Sequence, residues 1–152
     1  MRALSLTQPW ATLVAIGAKR IETRSWRTSY AGRIAIHAAT GFPGWARDTV
    51  RDDPRFSQAL NQAGFFTWGD LPRGVIVATA RLTGCHRAEN VQFDLSKAKE
   101  AAEYAFGDYA PSRWAWFLQG VKFLSAPVPC RGALGLWTMP ADVERTVREA
   151  LR

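Results

Sequence analysis

Gly17-Ala-Lys-Arg-Ile-Glu-Thr-Arg24, running on through Ser25 to Trp26, decides how this chain is read. Its opening glycine tolerates the left-handed conformation that ends a helix, and β-branched Ile21 and Thr23 then favour an extended chain. Side chains alternate along a strand, so the spacing predicts Glu22, Arg24 and Trp26 on one face and Ile21, Thr23 and Ser25 on the other. A carboxylate, a guanidinium and an indole thus share a surface, and Lys19 just ahead of them reads as a mobile cation leaving a helix end.

Upstream, Ala3 to Leu6 alternates like a short strand, and Thr7-Gln8-Pro9 opens a helix to about Ile16. Thr7 or Gln8 can cap that helix, while Pro9 suits its first turn, where a missing N–H costs nothing. Trp10, Leu13, Val14 and Gly17 fall on one apolar stripe. Downstream, Tyr30-Ala31-Gly32 makes a turn and Arg33 to Ala38 alternates again, with Ile34 and Ile36 inward and His37 on the opposite side.

Further out, residues 41–69 change character. Phe42, Trp45 and Val50, then Phe56, Leu60 and Phe65, predict two short helices broken by Pro54 and Gly64, an insertion that acts as a lid or a flank. Gly74 to Ala80 is an apolar, β-branched run expected of a buried strand, and Ser96 to Phe106 reads as a surface helix. Three more strands are expected at Trp114–Leu118, Val121–Leu124 and Gly132–Trp137, separated by Gly120 and by Pro127 and Pro129, before a helical tail from Ala141 to Leu151. With about six strands, helices between them and no repeats, 152 residues imply a single α+β domain on a curled sheet or barrel.

Charge narrows the function. The chain carries a net charge of +7, and up to His37 the cations Arg2, Lys19, Arg20, Arg24, Arg27 and Arg33 face Glu22 alone. Such a balance favours anionic partners, nucleic acid first. Seven tryptophans are many for this length, and indoles both fill cores and stack on bases. No apolar run reaches the roughly 18 residues of a membrane helix, and the start lacks the layout of a signal peptide, so a cytoplasmic protein without membrane contact is expected. Cys85 and Cys130 with His37 and His86 lack a ligand spacing, so neither a metal nor another cofactor is expected. Cys85 and His86 are neighbours on a strand and point to opposite faces, which sets them aside as a nucleophile pair.

The pattern G-x-K-x-x-E-x-R after a Gln8-Pro9-Trp10 helix, then Ser25-Trp26 and Ile34-Ala-Ile-His37, resembles the ASCH domain family of the PUA-like group. Trp114-Ala-Trp116-Phe-Leu118, Pro127-Val-Pro129 and Arg131-Gly132 through Gly135-Leu-Trp137 resemble that family's closing strands. The resemblance implies a PUA-like β-barrel of about six strands with flanking helices, and a basic cleft between the first helix and the barrel lined by Lys19, Glu22 and Arg24. It also implies binding of RNA or DNA, with Gln8 placed for a base edge and Trp10 in the same wall.

Around that cleft, Trp26 offers a stacking face, His37 a donor or general base, and Arg113 with Trp116 and Trp114 an aromatic platform. Plainer roles stand beside these: a surface ion pair for Glu22 and Arg24, a hydrogen-bonded structural histidine, and core packing for the tryptophans. Two other classes of function follow from the resemblance. Small bacterial relatives remove the acyl group of the modified nucleoside N4-acetylcytidine with a lysine and a threonine in a K-x-x-T motif plus a separate glutamate. Here Lys19 matches, but Glu22 replaces the threonine and Thr23 is displaced to the other face, so Lys19 and Glu22 are the catalytic candidates if the chain is an enzyme. A ribonuclease has been attributed to the family as well. Finally, the family includes a domain of a transcription coactivator, and Phe65-Phe66-Thr-Trp68 is the candidate protein-contact patch.

Overall fold

In the computed structural model, which describes all 152 residues, six strands are interspersed with five α-helices along the chain. In order they are β1 (Arg2–Leu6), α1 (Trp10–Ala15), β2 (Ile21–Arg24), β3 (Gly32–Ala38), α2 (Gly44–Asp52), α3 (Pro54–Gln62), β4 (Val75–Arg87), α4 (Ala98–Ala105), β5 (Trp114–Pro129), β6 (Leu136–Thr138) and α5 (Ala141–Ala150). The strands form one curled sheet in the order β2-β5-β4-β3-β1-β6, in which only the β1–β3 pair is parallel. This is the expected six-stranded α+β barrel with flanking helices, built as a half-barrel whose hydrogen bonding stays open between β2 and β6. No helix is long and apolar enough to cross a membrane.

The two stretches read as separate strands around Gly120 are one strand, β5. Gly120 takes φ 57° and bends the chain without ending it. Because β2 pairs only with Trp114–Phe117, the rest of β5 is free on that side, and Pro127 and Pro129 sit there without breaking a ladder on both edges. Likewise, β4 continues past Ala80 to Arg87, and three register shifts against β5 accommodate the curl.

Strand alternation divides the core between the two faces of the sheet. Leu4, Leu6, Ile34, Ile36, Ala80, Leu82 and Trp116 pack with Ala11, Val14 and Ala15 of α1. On the other face Ala3, Ala35, Ile76, Leu124 and Trp137 pack with Val147 of α5. The predicted single stripe on α1 is therefore only half of its burial: Leu13 turns away from the sheet into a third cluster with Phe42, Val50, Phe56 and Leu60, so α2 and α3 roof the helix.

The last strand is shorter than the sequence suggests because the chain at Gly132 passes directly over His37. A Cβ at Gly132 would lie 2.5 Å from Cε1 of His37 and 2.8 Å from Oγ of Ser5. Gly132→Ala should therefore destabilise the fold by about 1–3 kcal/mol through overpacking, read as a lower urea midpoint with an unchanged slope.

Candidate nucleic-acid interface

Strand β2 lies at an edge, and its outward backbone groups need partners. The Leu118 N–H donates to the Arg20 carbonyl, so in an antiparallel pair Glu22 and Arg24 turn their backbone toward β5, while Ile21 and Thr23 turn theirs away. Side chains meet all four outward groups. Glu103 of α4 accepts from the Ile21 N–H and also from the Arg20 N–H, and Lys19 donates to the Ile21 carbonyl. The Thr23 N–H donates to Oε1 of Glu22 (3.0 Å), and Nη2 of Arg113 donates to the Thr23 carbonyl (3.0 Å).

Lys19 is accordingly not a mobile cation: it is 0% exposed. Its ammonium also donates to the Phe106 carbonyl at 3.1 Å and lies 3.6 Å from Glu22. Glu22 is buried too and sits 3.9 Å from Nη1 of Arg24, which replaces the surface-pair reading with an enclosed Lys19–Glu22–Arg24 chain. Arg24 in turn donates from Nη2 to the Ser5 carbonyl at 3.1 Å, bridging β2 to β1 across the open side of the sheet, while its Nε has no partner.

Sequence reasoning missed Glu103 and Tyr109, which complete this network from the far side of the chain. Burial pushes the Glu103 carboxyl up, against the pull of Lys19 and of the Arg20 and Ile21 N–H groups. The Tyr109 hydroxyl is buried without a partner; burial first, then the charges of Glu103 and Glu22, hold its pKa far above the usual phenol value. Nothing marked Glu103 in the sequence, where its helix reads as a solvated one.

Four other expected site residues are placed differently. Gln8 is fully buried, accepting from the Thr12 N–H (3.1 Å) and donating to the Pro72 carbonyl (2.7 Å), so its amide has no free edge. Trp10 donates to the Phe106 carbonyl and packs against Trp45 and Phe56 under the helical roof. Trp116 is 0% exposed and is core rather than platform. His37 belongs to the opposite face of the sheet from Glu22 and Arg24: Nε2 donates to the Cys130 carbonyl, Nδ1 meets Ser5 Oγ, and Trp137 stands edge-on to the ring.

What remains accessible gathers at the open side of the half-barrel. A pocket of about 480 Å³ lies between the β2–β3 connection and β6, lined by Arg2, Trp26, Thr28, Ser29, Tyr30 and Leu136 with Gly135. That volume is in the range of small-ligand clefts. Trp26 is held edge-on by Trp116, with centroids 4.6 Å apart and planes at 90°, and is 37% exposed. Arg24 and Arg113 also keep part of their side chains exposed. By contrast, the groove at the end of α1 is lined by Ala15, Ile16, Gly17, Ala63, Phe65, Val121 and Phe123 and carries no charge.

The ASCH domain family model matches residues 4–124, most of the chain. This chain belongs to the ASCH domain family. Its relatives include activating signal cointegrator 1 of Homo sapiens, 50% identical over 148 residues, and of Mus musculus, 24% identical over 155 residues. Each match covers 97% of this chain but only 24% of the relative, so the chain spans about a quarter of their length. Among solved structures, the ASCH protein of Zymomonas mobilis superposes with a TM-score of 0.55 at 16% identity, covering 97% of this chain and 93% of that one. A tyrosine-to-phenylalanine variant of that protein gives 0.54 at 13% identity, over 97% and 96%. These structures share the half-barrel fold.

Within this ASCH domain the signature lysine and glutamate hold the edge strand. Lys19→Met would leave the Ile21 and Phe106 carbonyls without their donor and remove the buried cation beside Glu22, and a loss of about 3–5 kcal/mol is expected in urea unfolding. His37 supplies a pH test on the other face. Burial lowers its pKa below 6.5, only partly offset by the bond to Cys130. Its contribution is thus fully present above pH 6.5 and is lost as pH falls from there through the folded-state value, since the unfolded chain takes up the proton first. The difference in stability between wild type and His37→Gln should shrink over that window; a constant difference would contradict it.

Proposed function

We propose that this ASCH domain binds RNA, single-stranded or structured, at the seam pocket. A base stacks on the exposed part of Trp26, and phosphates meet Arg2 and Arg24. The observation that carries the reading is Trp26 itself, an indole fixed by the buried Trp116 yet open to a pocket, on a chain with a net charge of +7. An anchored aromatic surrounded by guanidiniums suits a nucleobase joined to phosphate, because stacking and charge act on different parts of one ligand.

An enzymatic reading has less support. The ammonium and carboxylate that would activate a nucleophile, Lys19 and Glu22, are buried and bonded to backbone, and Oγ1 of Thr23 accepts from the Asp108 N–H. Protein contact is favoured by a separate observation: Trp45, Phe66 and Trp68 are 60%, 71% and 43% exposed on the helical insertion, away from the seam.

Titration of a fluorescent single-stranded RNA, and of the same sequence as DNA, tests the first reading. Affinity should fall steeply with salt; Trp26→Ala should weaken it by about 1–3 kcal/mol, and Arg2→Ala should reduce the salt slope by roughly one. Binding that ignores both salt and Trp26 would overturn the proposal and make the aromatic surface of the insertion the leading candidate.

A further inference from the structure

Beyond the seam pocket, two guanidiniums converge on one indole. Arg24 of β2 lies directly across from Trp114 of β5, and Trp114 directly across from Arg87 of β4. Directly opposed residues of antiparallel strands share a face, so Arg24, Trp114 and Arg87 form a row across three strands. Arg27, just past the end of β2, reaches the same ring: its Cζ is 5.8 Å from the Trp114 centroid, and that of Arg87 is 5.2 Å away.

Acidic residues do not balance this cluster. Arg27 has neither an ion pair nor a hydrogen bond, and Arg87 has only an exposed contact with Glu89 at 3.9 Å. The buried carboxylate of Glu22 is already engaged by Lys19, Arg24 and the Thr23 N–H. Cation–π attraction accounts for either arginine alone at about 0.5–1 kcal/mol, and two guanidiniums against one ring concentrate positive charge at this point of the surface, which favours an anion there.

We propose that Arg27, Arg87 and Trp114 form a phosphate clamp that takes the backbone of a polynucleotide strand whose neighbouring base occupies the seam pocket, so that the ligand is an oligonucleotide and not a free nucleoside. This rests on the RNA reading of the pocket. Guanidiniums already occupy the indole surface, so the clamp holds phosphate and leaves base stacking to Trp26. Spacing supports the pairing of the two sites: Trp26 and Arg27 are consecutive, and Trp116, which carries Trp26, lies two residues along β5 from Trp114, roughly 6.6–6.8 Å apart in an extended strand. A forked donor such as guanidinium matches phosphate in two bonds, which explains arginine over lysine at both positions.

The test compares uridine, uridine 5′-monophosphate and a short oligouridine on the wild-type chain, on Trp26→Ala and on the double variant Arg27→Gln/Arg87→Gln. Both arginines are exposed, and an unchanged melting temperature confirms that the double variant folds. The oligonucleotide should bind the double variant about tenfold or more weakly, with the salt slope reduced by about 0.7 for each phosphate that is no longer neutralised, while any binding of free uridine stays unchanged. If the double variant keeps wild-type affinity and slope while Trp26→Ala weakens binding, the clamp is refuted and the seam reading stands. If only the double variant weakens binding, the arginines hold phosphate but the pairing with a base in the seam is refuted. No binding of the oligonucleotide by wild type at low salt overturns both.

Discussion

An edge strand of four residues, anchored from one side by a single buried ammonium, is the constraint on which the rest of this structure depends. Strand β2 is too short to be stable through its ladder with β5 alone, and its outer backbone groups would be left to water or to another chain. Lys19, Glu103, Glu22 and Arg113 supply the missing ladder from side chains. Burying an ammonium is costly unless it is fully paired, and here two carbonyls and Glu22 surround it. The same ammonium therefore ties the end of α1 to β2 and, through the Phe106 carbonyl, to the end of α4. Three elements distant in sequence are held at one point.

Arg24 extends this logic across the gap in the sheet. A half-barrel leaves the side of β1 away from β3 unpaired beyond Leu4, where the β6 pairing stops, and the guanidinium fills part of that gap by binding the Ser5 carbonyl. The closure is partial, which is why a pocket persists there between the β2–β3 connection and β6. Folding and binding thus draw on one feature: the side of the sheet that backbone hydrogen bonds do not close is the side that side chains, and in our reading a ligand, complete.

Much of the architecture was legible in the sequence, and the reason is local. Period-two alternation placed β1, β2 and β3 and put His37 opposite Ile34 and Ile36, because burial on a pleated sheet is decided residue by residue. Gly120 misled for an equally local reason, since a glycine with positive φ marks either a turn or a bend within a strand, and only the partner strand β4 distinguishes them. The site was less legible. Whether Lys19 is free or buried depends on Glu103 and Phe106, which no spacing connects to it, and Gln8 was drawn away from any ligand by the Pro72 carbonyl. Arg27 and Arg87 lie far apart in the chain and reach one ring only because β5 brings Trp114 between β2 and β4.

Lys19 and the rim arginines show how one kind of charge is put to opposite uses by depth. At the buried end of β2, each donor hydrogen finds a fixed acceptor and the charge stabilises geometry. At its exposed end, a few residues later, the guanidiniums outnumber their acceptors and the charge is left for something else to neutralise. The two ends are mechanically linked, because Trp26 and Arg27 follow directly on Arg24 and inherit its position. A strand that fluctuated would present the indole and the guanidinium in many orientations, and the cost of ordering them would fall on binding. The buried staple removes that cost in advance, so in our reading Lys19 and Glu22 serve recognition by fixing the residues proposed to touch the ligand without touching it themselves.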